Sequence, residues 1–304
     1  MKWGIVFAST GFPDPEEAVA LAQAAEQAGF ESLWAPEHVI ESRREDATPY
    51  RGTTSGSMQR LSRRGGIPDP LIWFAYVAAA TTTIRFGTGV LILPEHQPVV
   101  LAKTAATLDH LSGGRLMLGI GVGELPEEYG AVGMEFGNRG RRMDEYIEAM
   151  RTLWREDVAT YRGEYVRFDQ VECRPWPPRR AIPLLIGGDS PAAIRRAAKY
   201  GDGYFPFVFP GRDPLVELPR LIGEVRAAAG AAGRDAGTLE FTAGGARTVA
   251  EAEQYAAFGV DRLTVAVRGR SVGEVQDEVA RLGEELVRPT ADLVTVRPVA
   301  TDIV

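Results

Sequence analysis

The 304-residue sequence contains few residues of several kinds, and each shortage narrows what the protein can be. Cys173 is the single cysteine, so no disulfide can form within the chain, which is compatible with a reducing compartment. No apolar run reaches the length of about 18 residues that a membrane-spanning helix needs, so we expect no membrane association. The first residues, from Met1, predict a buried strand rather than a secretory signal, and we therefore expect a cytoplasmic protein.

Positive charge and histidine are also scarce. The 34 lysines and arginines are outnumbered by 41 acidic residues, which gives a net charge of −7. Because nucleic-acid binding usually needs a basic face, we expect no nucleic-acid partner. The three histidines include no pair at helical i, i+4 spacing, so we predict no metal site. The one set that could converge on a metal is Glu37, His38 and Glu95.

Short apolar runs alternate with amphipathic segments along the chain. This alternation implies a parallel sheet, and eight repeats favour closure into a (β/α)8 TIM barrel, with a doubly wound open sheet as the alternative. No linker divides the chain, so we predict one domain over residues 1–287 and a tail over 288–304. The predicted strands cover residues 3–8, 31–35, 84–90, 115–120, 184–186, 203–207, 239–243 and 262–267. The predicted helices cover residues 13–28, 70–80, 99–111, 139–154, 191–200, 214–229, 249–258 and 272–287.

Two insertions interrupt the alternation. A long polar loop over residues 41–68 follows the second strand and carries six arginines, at positions 43, 44, 51, 60, 63 and 64. We expect this extended loop to cover the site and attract an anionic substrate or cofactor tail, the alternative being a solvated loop. Residues 160–171 predict an inserted hairpin around Gly163, before the fifth strand.

Polar residues that follow the strands are the candidates for chemistry, because a barrel carries its chemistry at the carboxyl ends of its strands. His38 follows the second strand and is either functional or a loop histidine bonded to a carboxylate. We expect His96, after the third strand, to be a solvated loop residue, and His110, at a helix end, to be structural. Glu124 follows the fourth strand and is either a mouth residue or a surface glutamate.

Three glycine-containing turns lie at the same predicted face. Residues 119–123 have G-x-G-x-G spacing, which favours a strand end that lets a flat ring approach the backbone over a dinucleotide fingerprint. Gly89, at the end of the third strand, predicts a bulge. Residues 187–191, Gly-Gly-Asp-Ser-Pro, predict a capped helix start that either binds a phosphate or simply ends a turn.

Six motifs occur in a characteristic order: SLWAPEH (32–38), RFGTGV (85–90), LSGGR (111–115), GIGVGE (119–124), IGGDSP (186–191) and GDGY (201–204). Their order and spacing resemble the bacterial luciferase-like monooxygenase superfamily, and within it the oxidoreductases that depend on the deazaflavin coenzyme F420. The resemblance covers about Lys2 to Val287. It implies an eight-stranded barrel with F420, or alternatively FMN, at the mouth.

The resemblance also implies roles for individual residues. Gly89 and Val90 would form a bulge that supports the ring, often through a non-prolyl cis peptide, and Gly187, Gly188 and Ser190 would bind the coenzyme phosphate. The implied cofactor-binding residues are Glu37, Gly89, Val90, Val122, Gly123, Gly187, Gly188 and Ser190, and the implied catalytic residues are His38 and Glu124. Ser42 stands where the family's sugar-phosphate dehydrogenases have a tryptophan, so their substrate does not carry over.

The leading functional prediction is an F420-dependent oxidoreductase that transfers a hydride between the deazaflavin C5 and a small organic substrate. His38 or Glu124 would donate or accept the accompanying proton. One alternative is an FMN-dependent monooxygenase that uses oxygen and reduced flavin from a separate reductase. A second alternative is a barrel that binds flavin without turnover. The family resemblance further implies a homodimer.

Overall fold

Eight parallel strands close into a barrel in the computed structural model, which describes residues 1–40, 66–206, 208 and 211–297. The strands are β1 (Lys2–Val6), β2 (Ser32–Ala35), β3 (Arg85–Thr88), β4 (Leu91–Ile92), β5 (Leu116–Gly121), β6 (Ala159–Arg162), β7 (Arg167–Val171), β8 (Leu184–Gly187), β9 (Gly203–Phe205), β10 (Glu240–Gly244) and β11 (Arg262–Ala266). All except β6 and β7 belong to one sheet, and pairing of β3 with β5 closes it. The predicted barrel is confirmed, and the open-sheet alternative is wrong.

The third barrel strand is broken into β3 and β4, both of which pair in parallel with β5. Sequence analysis predicts a continuous strand over residues 84–90, but the strand stops at Thr88 and resumes at Leu91. The break therefore falls on Gly89 and Val90. A short 3₁₀ turn, Leu93–Glu95, follows directly and leads to the next helix.

Helices cover the outside of the barrel. They are α1 (Ala8–Gly11), α2 (Pro15–Gln27), α3 (Pro70–Ala78), α4 (Pro98–Leu111), α5 (Pro126–Ala131), α6 (Arg139–Arg155), α7 (Pro191–Tyr200), α8 (Pro214–Ala231), α9 (Val249–Ala257) and α10 (Val272–Leu282). The short helices α1 and α5 were not predicted. The helix predicted over residues 272–287 changes to a π-helical turn after Leu282. None of the helices in the described ranges combines the length and apolar character needed to cross a membrane.

The inside of the barrel is filled around the indole ring of Trp34. This ring packs with Met117 and Leu185 and meets the edge of Phe205 at a centroid distance of 5.1 Å. A Cβ atom added at Gly4 would lie only 2.6 Å from the indole Nε1. The glycine on β1 thus leaves the volume that the large side chain on β2 occupies, and the barrel is a packed core rather than a pore.

Charged side chains close the amino-terminal end of the barrel. The buried guanidinium of Arg262 donates from Nε and Nη2 to the two carboxylate oxygens of Glu31, at 2.7 and 2.8 Å. It also donates to Thr242 Oγ1 at 3.1 Å and to Glu240 at 3.2 Å. Arg85 reaches the same Glu31 at 3.1 Å. This cluster pairs Arg262 and Arg85 with Glu31 and Glu240 at the end opposite the predicted chemistry.

The inserted hairpin is confirmed as the antiparallel pair β6–β7. Glu145 on α6 accepts backbone N–H bonds from Glu164, Tyr165 and Val166 at 2.6–2.9 Å, and Glu148 on α6 accepts from the Tyr161 hydroxyl at 3.0 Å. The hairpin therefore lies on the outer side of the barrel.

The division into a domain over 1–287 and a tail over 288–304 stays a prediction. Within residues 288–297, the buried Thr290 accepts a bond from Trp3 Nε1 at 2.8 Å, and its carbonyl accepts from the Met1 amino group at 2.8 Å. This segment thus packs against β1. Most of the predicted arginine-rich loop, including all six arginines, lies outside the described residues.

Candidate active site

The predicted site residues lie at one rim of the barrel. Glu37 and His38 follow β2, Glu124 follows β5, and Gly188 and Ser190 follow β8. Because the strands are parallel and closed into a ring, their carboxyl ends share one end of the barrel. The fold therefore gathers residues that are up to about 150 positions apart in the chain.

The break in the third barrel strand contains a non-prolyl cis peptide between Gly89 and Val90. The Gly89 N–H bonds to the Ala35 carbonyl of β2 at 2.8 Å, which ties the break to the neighbouring strand. The Val90 side chain extends over the ends of β5 and β8. A Cβ added at Gly121 would lie 2.8 Å from Val90 Cγ2, and one added at Gly187 would lie 2.7 Å from Cγ1. Glycine at both strand ends makes room for this valine.

The loop after β5 is fixed from two sides. The Val122 carbonyl accepts a bond from the Tyr129 hydroxyl at 2.6 Å. Gly123 has a φ of +63°, and a Cβ there would lie 2.7 Å from Ile92 Cγ2. Backbone conformation and close approach both require glycine at this position. The partly exposed backbone of the loop leads directly to Glu124 at the rim.

Glu37 connects the loop after β2 to the loop after β4. Its Oε2 accepts the Ile92 N–H at 2.6 Å, and its Oε1 contacts His96 Nε2 at 3.0 Å. Burial alone would lower the pKa of His96, but its bond to Glu37 and the charge of that carboxylate raise it above the ordinary value. The prediction that His96 is a solvated loop residue is wrong, because its side chain is 23% exposed and paired with a buried acid. The cofactor contact predicted for Glu37 stays a prediction.

His38 is held by a carboxylate that sequence analysis did not identify. Its Nδ1 lies 3.0 Å from Oε2 of Glu128 on α5, and the Glu128 side chain is only 1% exposed. The other oxygen of Glu128 accepts the Val39 N–H at 2.5 Å. An ionised carboxylate can accept hydrogen bonds but cannot donate them. Pairing with such an acceptor favours the His38 tautomer that carries a proton on Nδ1. Glu128 thus engages Nδ1 of the ring and not Nε2.

Glu95 lies in the 3₁₀ turn between these two histidine–carboxylate pairs. It is 6% exposed, and neither of its oxygens has a hydrogen-bond partner among the described residues. Burial, followed by the negative charges of Glu128 and Glu37, raises the pKa of Glu95 to about 8, although the Arg142 guanidinium acts in the opposite direction. Glu37 and Glu95 are thus electrostatic neighbours. The described residues nevertheless contain no group of three or more histidine, cysteine or acidic side chains placed to hold a metal.

The turn after β8 begins a helix. Ser190 caps α7, with its Oγ accepting the Ala193 N–H at 3.2 Å. Gly188 has a φ of +105°, and its carbonyl accepts from the Tyr204 hydroxyl at 2.7 Å. The capped turn is therefore present as predicted. Its use in phosphate binding stays a prediction, supported by the exposed position of Ser190 at a helix N-terminus.

Cys173 lies away from this rim. It is a buried free thiol that lines a cavity of about 450 Å³ between α4, α6 and the hairpin, together with Lys103, Leu153 and Phe168. Burial raises the pKa of the thiol, which makes it a poorer nucleophile.

Sequence analysis missed Glu128 and Arg142 and considered Glu95 only as a metal ligand. A usable signal existed for Glu128, since Pro126-Glu127-Glu128 is a typical helix start with acids in its first turn. That signal does not say which of the two glutamates faces the barrel. Only the packing of α5 turns Glu128 inward.

Comparison with known proteins agrees with this geometry. The family model described as luciferase-like monooxygenase matches residues 3–288. The chain belongs to the luciferase-like monooxygenase family. It is 34% identical over 271 residues to an uncharacterized protein of Mycobacterium tuberculosis, covering 88% of this chain and 93% of that protein.

Two further relatives have named activities. An F420-dependent glucose-6-phosphate dehydrogenase of Kineococcus radiotolerans is 30% identical over 90% of this chain and 76% of its own length. An F420-dependent hydroxymycolic acid dehydrogenase of M. tuberculosis is 33% identical over 74% of this chain, which corresponds to 56% of its own length.

Solved structures share the fold at lower identity. The coenzyme F420-dependent tetrahydromethanopterin reductase of Methanopyrus kandleri superposes with a TM-score of 0.73 at 15% identity. The monooxygenase RslO1 of Streptomyces bottropensis gives the same TM-score at 23% identity. Each alignment covers 95% of this chain and 99% of the other.

Proposed function

We propose that this protein is an F420-dependent oxidoreductase that transfers a hydride between the deazaflavin and a small organic substrate. The observation that carries the proposal is the His38–Glu128 pair at the barrel rim. Adding a hydride to a polarised carbon, or removing one, requires a proton to move at the neighbouring heteroatom. A largely buried imidazole that a carboxylate holds by Nδ1 is built to move that proton through Nε2.

The residues at the rim fit a flat ring with a phosphate-bearing tail. Gly89, Gly121, Gly123 and Gly187 carry no side chain at these strand ends, and the Val90 isopropyl group packs against Gly121 and Gly187. A flat ring can approach such backbone closely, with Val90 and the Val122–Gly123 loop on either side. The N-terminus of α7, with Gly188 and Ser190, offers an anion site for the tail.

When bound, the deazaflavin would supply the carbon that gives or takes the hydride. The chain's own residues supply position and protons. Glu128 orients the His38 ring and balances the positive charge that forms when Nε2 takes a proton. Glu124 is the second proton carrier in the proposal, because the fixed Val122–Gly123 loop presents it at the same rim.

The choice of F420 over FMN is supported by the relatives. Both named dehydrogenases depend on F420, and each is at least 30% identical to this chain. The likeness to the monooxygenase structure, at 23% identity, supports only the fold and not the choice of cofactor. The homodimer and the supply of reduced cofactor by a separate reductase remain predictions from the family resemblance.

Paired binding titrations test the proposal. Purified apo-protein, shown to be folded by circular dichroism, is titrated with oxidised F420 and with FMN in the same buffer. Tight, selective F420 binding is expected, and a substrate screen with reduced F420 follows. Selective FMN binding would replace the proposal with the flavin monooxygenase. Binding of neither by folded protein would contradict both assignments.

A further inference from the structure

Glu95 lies between two histidine–carboxylate pairs, and both oxygens of each paired carboxylate are already hydrogen-bonded. On one side, Glu37 has both oxygens engaged, by His96 and by the Ile92 N–H. On the other side, Glu128 is bonded to His38 and to the Val39 N–H. Both of these acids are therefore hydrogen-bonded at each oxygen, whereas in the described part of the chain Glu95 has no donor at either oxygen.

The charged groups around Glu95 come from each described element that faces it. Glu37 follows β2, Glu128 and Tyr129 belong to α5, and Arg142 belongs to α6. Arg142 is the cation, but its Nη2 donates to the Glu135 carbonyl at 2.9 Å and its Nη1 contacts Met134 Sδ at 3.6 Å. The guanidinium thus neutralises part of the local charge without forming a hydrogen bond to Glu95. The remaining titratable groups are His38, which is paired with Glu128, and His96, which is paired with Glu37.

A buried carboxylate with no donor, placed near two other carboxylates, is more stable as a neutral acid. Its side chain cannot lose the proton without adding a third negative charge to the cluster. That third charge would strengthen the hold of the cluster on every remaining proton, including the proton on His38.

We propose that Glu95 is a positioning residue that keeps its proton at neutral pH. Its charge state thereby sets how tightly the neighbouring Glu128–His38 pair holds the proton on His38. Glu95 acts on His38 through the electrostatic field, because no hydrogen bond joins it to the Glu128–His38 pair among the described residues. The consequence for turnover rests on the proposed proton transfer by His38. The protonation of Glu95 itself does not depend on that proposed function.

A potentiometric difference titration tests the protonation of Glu95 directly. Wild-type protein and the Glu95→Gln variant, which mimics the neutral acid in shape, are titrated from acid to alkali. The expected difference is one proton, released near pH 8. A difference centred near 4.5, the ordinary value for glutamate, would overturn the proposal. The control is Glu156→Gln, which removes an exposed glutamate at the end of α6 and should leave the proton release near pH 8 unchanged.

Ring ¹⁵N NMR tests whether the histidines sense that proton. The chain has only three histidines, and the exposed His110 on α4 serves as an internal reference. In wild type, the His38 and His96 signals should both show a step near pH 8 that His110 lacks. The step should disappear in Glu95→Gln and persist in Glu95→Asp, which keeps an ionisable group. A step that persists in Glu95→Gln would refute the coupling.

Infrared spectroscopy covers the case in which the variants fail to fold. Wild-type protein should show the C=O stretch of a protonated carboxylic acid at neutral pH, and the band should vanish as pH rises through about 8. Absence of the band at neutral pH would overturn the proposal. None of these measurements needs cofactor, so loss of the F420 assignment would leave their result standing. If F420-dependent turnover is present, Glu95→Gln should also remove the kcat inflection near pH 8.

Discussion

Replacing Glu31 by glutamine should destabilise the barrel from its amino-terminal end. Glu31 receives two bonds from Arg262, whose side chain is 0% exposed, and one from Arg85. Burial would raise the pKa of Glu31, yet the hydrogen bonds and charge of Arg262 outweigh it and hold the pKa at about 2 instead of 4.5. At about 1.4 kcal/mol per pH unit, this difference corresponds to about 3 kcal/mol of folding free energy.

The pH dependence has a definite sign. Because the pKa of Glu31 is lower in the folded state than in the unfolded state, its contribution is fully present above about 4.5 and lost as pH falls towards about 2. The glutamine variant lacks this contribution at every pH. Seen from Arg262, the same loss leaves a buried guanidinium paired with Glu240, and breaking a buried ion pair costs about 3–5 kcal/mol, which agrees with the figure from the pKa of Glu31. We therefore expect a loss of about 3 kcal/mol at pH 7.

Urea unfolding, followed by circular dichroism from pH 7 down to pH 2, measures this effect from the midpoint shift at a shared slope. The difference between wild type and Glu31→Gln should be largest at pH 7 and shrink in acid. Other acid-sensitive carboxylates, such as Glu26, affect both proteins equally. The control Glu156→Gln, at an exposed site, should stay within about 0.5 kcal/mol of wild type. Parallel pH profiles for wild type and Glu31→Gln would refute the reasoning.

Three further predictions concern the rim. Gly187→Ala should destabilise the protein by about 1–3 kcal/mol because its Cβ would meet Val90, and Val90→Ala should rescue most of that loss in a double-mutant cycle; an additive cycle would contradict the packing. His38→Ala should lower kcat by about 10²–10⁴-fold with little change in F420 affinity, and equal losses in both would remove its proton-transfer role. Glu128→Gln should lower kcat at least about tenfold while F420 titration stays normal, since the ring loses its anionic partner; unchanged kcat would dissociate Glu128 from His38 function.

The two ends of the barrel divide their tasks. Arg262 and Glu31 at the strand starts form a satisfied ion cluster that stabilises closure. The carboxyl ends carry a less compensated set, in which Glu95 has no hydrogen-bond partner within the residues that the structure describes. This arrangement matches the general separation of stability and chemistry in parallel barrels.

Much of the fold could be predicted because local patterns specify it. Proline with a capping residue before it predicted the start of α7, and the helix covers the predicted residues, Pro191–Tyr200. The strand predicted over 184–186 and the hairpin around Gly163 are likewise present. In these segments, hydrophobic period and turn chemistry agree with the tertiary packing, so the local signal is sufficient.

The site could be predicted less completely. The cis peptide between Gly89 and Val90, which the family resemblance implied, is present. The prediction that His96 is solvated was wrong because its partner, Glu37, lies 59 positions away in the chain. No local sequence pattern indicates that the two residues pair. Helix α5 was missed for a related reason, as six residues carry too little periodicity to identify a helix.

By itself, the sequence determined the alternation of strands and helices, the family motifs and the candidate residues at strand ends. Those features depend on neighbours within a few positions, where period, capping and glycine placement act directly. Only the tertiary structure decided that the sheet closes, that Glu128 holds His38 and that Glu95 is enclosed without a donor. Such pairings and proton affinities depend on distance, burial and field across segments far apart in sequence, which no local pattern encodes.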